Sequence, residues 1–145
     1  MIRKPFDKDL FDKNDKLSRD IIKKYLPIVE DNKDRYDYDL VISHKYFKGI
    51  EVERINVWKD IDNLPFGDHT RLFERKLRYN DNILFIQLSY NLKKCCIFTK
   101  KSVNINNFRT TKYGDKSFIV NKGGCLLLKT KKININIFDV LQYIK

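Results

Sequence analysis

Asp39, Glu51 and Glu53 are the residues whose types and spacing could do chemistry. Asp39 stands directly before the apolar run Leu40-Val41-Ile42, and Glu51-Val52-Glu53 lies inside a second run from Ile50 to Arg54. In an extended chain successive side chains point to opposite faces. Ile50 and Val52 are therefore expected to face a core while Glu51 and Glu53 stand together on the other face. If the two runs pair, Asp39 comes to lie beside that carboxylate pair. Three converging carboxylates repel one another, and a divalent cation is the usual remedy. The expectation is a site for Mg²⁺ or Mn²⁺. Such ions lower the pKa of bound water and neutralise charge developing on a phosphate. Phosphodiester cleavage is the chemistry this centre would serve.

The elements that must position these residues can be read on either side. A loop carrying Lys45, Lys48 and Gly49 joins the two runs. Upstream, Phe6, Leu10 and Phe11 would pack a short helix or arm over residues 1–15. Leu17, Ile21, Ile22 and Tyr25 fall at helical spacing, with Ser18 as N-cap and Pro27 ending the helix. Glu30 is its last turn or the loop beyond, and residues 31–39 are polar and turn-rich. Downstream, a helical turn is expected around Val57 to Ile61, with Trp58 in the core or at the base of the site.

Residues 69–80 read as an irregular strand with a dense cationic cluster of Arg71, Arg75, Lys76 and Arg78. Ile83 to Leu88 and Cys95 to Thr99 read as a hairpin, and 100–117 as a polar, basic loop. Phe118 to Val120 and Leu126 to Leu128 flank Asn121-Lys122-Gly123-Gly124, a second hairpin signal. Ile133, Ile135 and Ile137 alternate with asparagines as in a half-buried strand, and Asp139 would cap a terminal helix, Val140 to Ile144. With no repeat or linker, residues 1–145 read as a single α/β domain. Its central mixed β-sheet of about six strands would be flanked by helices, mainly at the two ends.

Composition narrows the classes. At 145 residues, with 42% hydrophobic and 13% aromatic residues, the chain can bury a core. It has no apolar run of the roughly 20 residues that span a bilayer, and its N-terminus lacks the apolar centre of a signal peptide. Cys95, Cys96 and Cys125 have no C-x-x-C spacing and lie far from His44 and His69. They read as reduced thiols, and a cytoplasmic location is expected. The net charge of +11 is uneven: residues 39–68 carry −2 and residues 69–145 carry +12. Part of the excess is compositional, since 22 Lys stand against 8 Arg and Ala is absent. A basic half behind an acidic centre nonetheless suits a polyanion. Lys45, Lys48, Arg71, Arg75 and Arg78 are the candidate nucleic-acid contacts.

Asp39, eleven intervening residues and then Glu51-Val52-Glu53 resembles the PD-(D/E)XK nuclease superfamily, the restriction-endonuclease-like fold. The motif spans residues 39–54, and the order of elements, a helix and then three strands, extends the likeness over 15–100. Tyr38 replaces the motif's proline, and Glu53 occupies its lysine position, which makes this the E-x-E variant. GIEVER followed by Trp58 and a later Arg75-Lys76 also looks like small phage-type proteins of that superfamily, which would act inside a bacterial or phage-infected cell.

The resemblance implies that Asp39, Glu51 and the backbone carbonyl of Val52 hold the metal. Glu53, or Lys76 supplied from a neighbouring element, would orient and deprotonate the attacking water. Glu30 or Asp20 would be an outer carboxylate. The implied activity is a Mg²⁺-dependent endonuclease acting on DNA, with RNA as the other candidate substrate. Double-strand cleavage needs two active sites, so a homodimer would follow.

Two rival readings share these residues. In a non-catalytic nucleic-acid-binding protein, Arg78-Tyr79, Lys100-Lys101, Phe108-Arg109 and Lys112-Tyr113 would grip backbone and stack on unpaired bases. In a phage structural or host-interaction protein, Glu51 and Glu53 would simply pair with Lys45 or Lys48.

Overall fold

The strand from Gly49 to Arg54 (β3) is the spine of the molecule. In this computed structural model, which describes residues 8–34, 37–59 and 62–143, β3 pairs antiparallel with Leu40–Val41 (β2) and parallel with Ile83–Leu88 (β5). Glu30–Asp31 (β1) extends the sheet beyond β2. Lys94–Thr99 (β6) and Leu126–Lys129 (β9) extend it beyond β5. The result is a mixed six-stranded sheet in the order β1-β2-β3-β5-β6-β9. The expected hairpin of β5 and β6 is present.

A parallel pair cannot be joined by a tight turn, so the chain leaves the sheet between β3 and β5. On the way it lays down His69–Phe73 (β4), which joins a second, three-stranded sheet with Lys116–Asn121 (β8) and Val103–Thr110 (β7). This sheet was not expected. Residues 100–117, read as loop because they are polar, contain β7, an edge strand whose side chains from Ile105 onward are exposed. The second hairpin signal also failed in its pairing: β8 and β9 are both strands, but they belong to different sheets. The turn between them is close-packed, since a Cβ on Gly124 would fall 2.8 Å from the Ser102 Cβ.

Both faces of the main sheet are covered. Ile50, Val52, Leu84, Ile86 and Leu88 pack with Ile22, Leu26, Phe138 and Leu141 on one face. Ile83, Phe85, Cys96 and Phe98 pack with Trp58, Leu72 and Val120 on the other. Trp58 is fully buried, as expected of a core residue, and its indole N–H donates to the Asn63 carbonyl at 2.9 Å. Cys95 and Cys96 are buried free thiols.

Lys8–Tyr25 forms one continuous helix (α1). The expected break before Leu17 is therefore absent: Ser18 lies mid-helix and buried rather than at an N-cap. Phe6, part of the proposed arm, lies outside the described residues. Glu30 is in β1 and not in a last helical turn. The turn near Val57 is present at its start, while Ile61 lies outside the described residues.

The alternating isoleucines are not a strand. Ile135–Tyr143 is a 3-10 helix, in which residues three apart share a face. That period sets Ile135, Phe138 and Leu141 against the main core. Asp139 is thus inside the helix and caps nothing there. Its carboxylate meets His44 Nε2 at 2.8 Å, and the buried His44 ring stacks on Phe47. His44 Nδ1 accepts the Tyr46 N–H, which assigns the ring's N–H to Nε2, facing Asp139. The expected terminal helix is thereby a 3-10 helix that starts earlier, with Ile144 outside the described residues.

With one α-helix, short 3-10 segments and two sheets among the described residues, the architecture is α+β around a mixed central sheet. Among the described residues no helix is long and apolar enough to cross a membrane.

Candidate active site

β2 begins one residue too late to pair with Glu51, and the Asp39 side chain continues the ladder in its place. Leu40 is opposite Ile50, so Asp39 comes next to Glu51. Its Oδ2 accepts the Val52 N–H at 2.8 Å. Tyr38, just before it, lies flat on Gly49: a Cβ there would fall 2.3 Å from the Tyr38 ring. Only glycine leaves room for that ring. The expected meeting of Asp39 with the Glu51–Glu53 strand is therefore present, and it is built from a backbone hydrogen bond and one close approach.

Glu51 and Glu53 share a face, as the period of two requires, but that face is not open to solvent. They stand opposite Phe85 and Gln87 of β5, on the side covered by the second sheet. Glu51 is 9% exposed. Burial at that level calls for a counter-charge, and Lys76 provides it. Lys76 sits in the 3-10 turn Glu74–Arg78 that follows β4, and its Nζ is 2.9 Å from Glu51 Oε1. Burial alone would push the Lys76 ammonium down. The Glu53, Glu51 and Asp39 carboxylates, with the hydrogen bond to Glu51, outweigh it and hold the pKa above its ordinary value.

The three carboxylates thus converge on the Lys76 ammonium. Among the described residues, no three of His, Cys, Asp and Glu are grouped as metal ligands. Neither Lys45 nor Lys48 is the partner of Glu51; they lie near the rings of Tyr46 and Tyr38.

Glu53 is held separately. Gln87, 1% exposed, donates from Nε2 to Glu53 Oε1 at 3.2 Å and to the Arg71 carbonyl at 2.8 Å. Its Oε1 accepts the Thr70 hydroxyl. The residue-by-residue reading overlooked Gln87. Its signal was there: one amide inside the otherwise apolar run Ile83-Leu84-Phe85-Ile86-Gln87-Leu88.

Two oxygens bear on a divalent cation. Glu51 Oε2 is buried and accepts no hydrogen bond, and Asp39 Oδ2 faces the Val52 amide. Carboxylate oxygen is the hard donor Mg²⁺ prefers, and the buried, unsatisfied Glu51 Oε2 is the atom that suits such an ion, whereas Asp39 Oδ2 already accepts the Val52 N–H. Val52 meets Asp39 through its N–H, whereas the resemblance assigns its carbonyl to the metal. Asp20 pairs with Lys16 and Lys23 on the exposed side of α1, and Glu30 is exposed in β1.

The cationic cluster separates in space. Arg78 donates to the Tyr79 hydroxyl at 2.8 Å. With Lys48, Tyr38, Asp37 and Asn80 it lines a cleft of about 90 Å³ that begins at the residue before Asp39. Arg75 lies over Phe73, and Arg71 projects from β4 toward Phe66. Lys48 and Arg78 therefore line a cleft at Tyr38, next in the chain to Asp39, while Arg71 points to another surface.

No family model, no curated protein and no solved structure matches this chain.

Proposed function

We propose that the Asp39–Glu51–Lys76 cluster is the active centre of a Mg²⁺-dependent nuclease of the restriction-endonuclease-like kind, hydrolysing phosphodiester bonds in DNA. The observation that carries this reading is the 2.9 Å contact of Lys76 with Glu51, beside Asp39 and Glu53. It gathers two carboxylates on adjacent strands and one lysine, with that lysine delivered by a neighbouring element.

Asp39 and Glu51 would hold the ion, which when bound supplies an activated water and a neutralising charge. The remaining work falls to the chain. Lys76, with its pKa raised, is an ammonium at neutral pH. Held against Glu51, it would grip negative phosphate oxygen by charge. Glu53 is the residue we assign as the base. Glu53 is fixed by Gln87 on one of its oxygens, which orients the carboxylate toward a water. Lys48 and Arg78 at the cleft would steer the strand past Asp39. DNA is the substrate proposed here, and a homodimer is required only if both strands of a duplex are cut.

Incubating the purified chain with DNA and Mg²⁺, against a chelator control, tests the reading. Cleavage that needs the metal and disappears in Asp39→Ala supports it. Undiminished cleavage by Asp39→Ala overturns the assignment.

A further inference from the structure

β4 has two faces with different jobs. Thr70 and Leu72 point inward and are buried, Thr70 against Gln87. His69 and Arg71 point the other way, two residues apart on the outer face of the second sheet. There Arg71 is poorly provided for: its Nε and Nη1 are buried and have no hydrogen-bond partner. His69 is in the same condition at Nε2, while its Nδ1 meets Asp68 Oδ1 at 2.7 Å.

A second arginine makes the arrangement costlier. Arg71 is opposite Ile119 of β8, and Ser117, two residues back on the same face, is opposite Arg109 of β7. The Arg109 charge adds to burial in disfavouring the protonated form of Arg71. Arg71 and Arg109 thus flank β8 on one face, and Arg71 keeps buried donors unused there. An anion with several acceptor oxygens would satisfy both.

One aromatic ring covers this group. Phe66 stacks on His69 with centroids 5.6 Å apart and planes at 18°, and the Arg71 guanidinium lies 5.6 Å from the same ring. Phe66 is 37% exposed and sits in a tight turn closed by the Gly67 N–H on the Leu64 carbonyl, with Gly67 at φ +91°. An exposed ring beside one arginine, with a second across the neighbouring strand, is a combination that can hold a nucleobase and its adjoining phosphate.

We propose that Arg71, Arg109 and His69, with Phe66 as stacking platform, form a phosphate-binding site for a single nucleic-acid strand on the outer face of the second sheet. It lies on the opposite side of β4 from the carboxylates, and it does not require them to be catalytic. The two are mechanically joined, because the Gln87 amide that holds Glu53 also binds the Arg71 carbonyl.

Fluorescence anisotropy of a labelled single-stranded oligonucleotide, in chelator so that nothing is cut, tests the site across a range of salt. Arg71→Ala/Arg109→Ala is expected to weaken binding about tenfold. It should also lower the slope of log K against log salt by about 1.4, two phosphate contacts' worth for a single strand. Phe66→Ala is expected to weaken the single strand more than a duplex of the same sequence. Should the double variant be misfolded, Arg109→Ala decides, since Arg109 is exposed and its removal should lower the slope by about 0.7. Competition by inorganic phosphate alone, without a Phe66 effect, would show an anion site that does not read a strand and would overturn the proposal. So would a wild-type chain that binds no oligonucleotide, or variants with unchanged affinity and slope. A chain that binds through these residues but never cleaves would leave this site standing while sinking the nuclease reading.

Discussion

Lys76 Nζ and Glu51 Oε1 are 2.9 Å apart, although twenty-five positions separate the two residues in the chain. The contact joins the central sheet to the turn that leaves the second one, and both side chains are nearly out of solvent, at 13% and 11% exposure. A pair so placed is costly to break on one side, because the partner left behind is a buried, uncompensated charge.

Lys76→Met should therefore destabilise the fold, by about 3 kcal/mol, as read by urea denaturation at neutral pH. The pH dependence has a definite sign. The folded-state pKa of Lys76 is raised, so its contribution is fully present below the unfolded value near about 10.4 and is lost as pH rises through the folded value. The stability gap between wild type and Lys76→Met should hold steady from neutral pH to about 10 and close above that. A gap that widened on the alkaline side would contradict the pairing.

Gln87→Leu removes the group that ties Glu53, the Arg71 carbonyl and the Thr70 hydroxyl together. It leaves buried polar atoms without partners, each costing about 1–3 kcal/mol. The proposed chemistry adds a sharper expectation: turnover should fall with little change in DNA affinity, since Glu53 loses its orientation and no phosphate contact is removed. A drop in affinity with kcat unchanged would place Gln87 in binding instead.

Gly49→Ala puts a methyl group against the Tyr38 ring. Tyr38 must move, and Asp39 is the next residue. The change should cost about 1–3 kcal/mol of stability, and it should reduce metal-dependent cleavage more than Val41→Ala, which trims an exposed side chain on the same hairpin. Equal effects on activity would show that the Tyr38–Gly49 contact does not position Asp39.

Burial pushes the thiols of Cys95 and Cys125 up to about 12, and that of Cys96 well above its ordinary value. Thiolate is the reactive form. The native chain should therefore label slowly with a disulfide reagent near about pH 8, and rapidly at all three cysteines once unfolded. Fast native labelling of any one of them would show that its pocket opens readily.

How much of this was legible in the sequence depended on the range of the interaction. Period-two patterning put Glu51 and Glu53 on one face, and a short apolar run after Asp39 set the aspartate at the start of a paired strand. Both inferences use neighbours in the chain. The second sheet was not legible, because β7 is an edge strand whose short Val103-Asn104-Ile105-Asn106 alternation is interrupted by further polar residues and whose side chains are mostly exposed. The Ile133-Ile135-Ile137 alternation misled for the opposite reason. A period of two and a period of three coincide over so few residues, and packing of Phe138 and Leu141 decided in favour of three. Lys76 was a candidate through the resemblance, as a lysine from a neighbouring element in place of the one missing at Glu53. That it meets Glu51, while Arg71 turns to the opposite face of its strand, is a consequence of the β3-to-β5 crossover, which no local pattern encodes.

The most direct measurement of the central claim is single-turnover cleavage of labelled DNA by wild type and Glu51→Gln, with Mg²⁺ and then Mn²⁺, alongside binding measured in chelator. Glu51→Gln keeps the shape and removes the charge that both Lys76 and a divalent ion would use. The account predicts metal-dependent cleavage by wild type, a loss in the variant of about a hundredfold or more, and nearly unchanged DNA binding. Equal cleavage by the two proteins, or a wild-type chain that binds DNA and cuts it with neither metal, would contradict it.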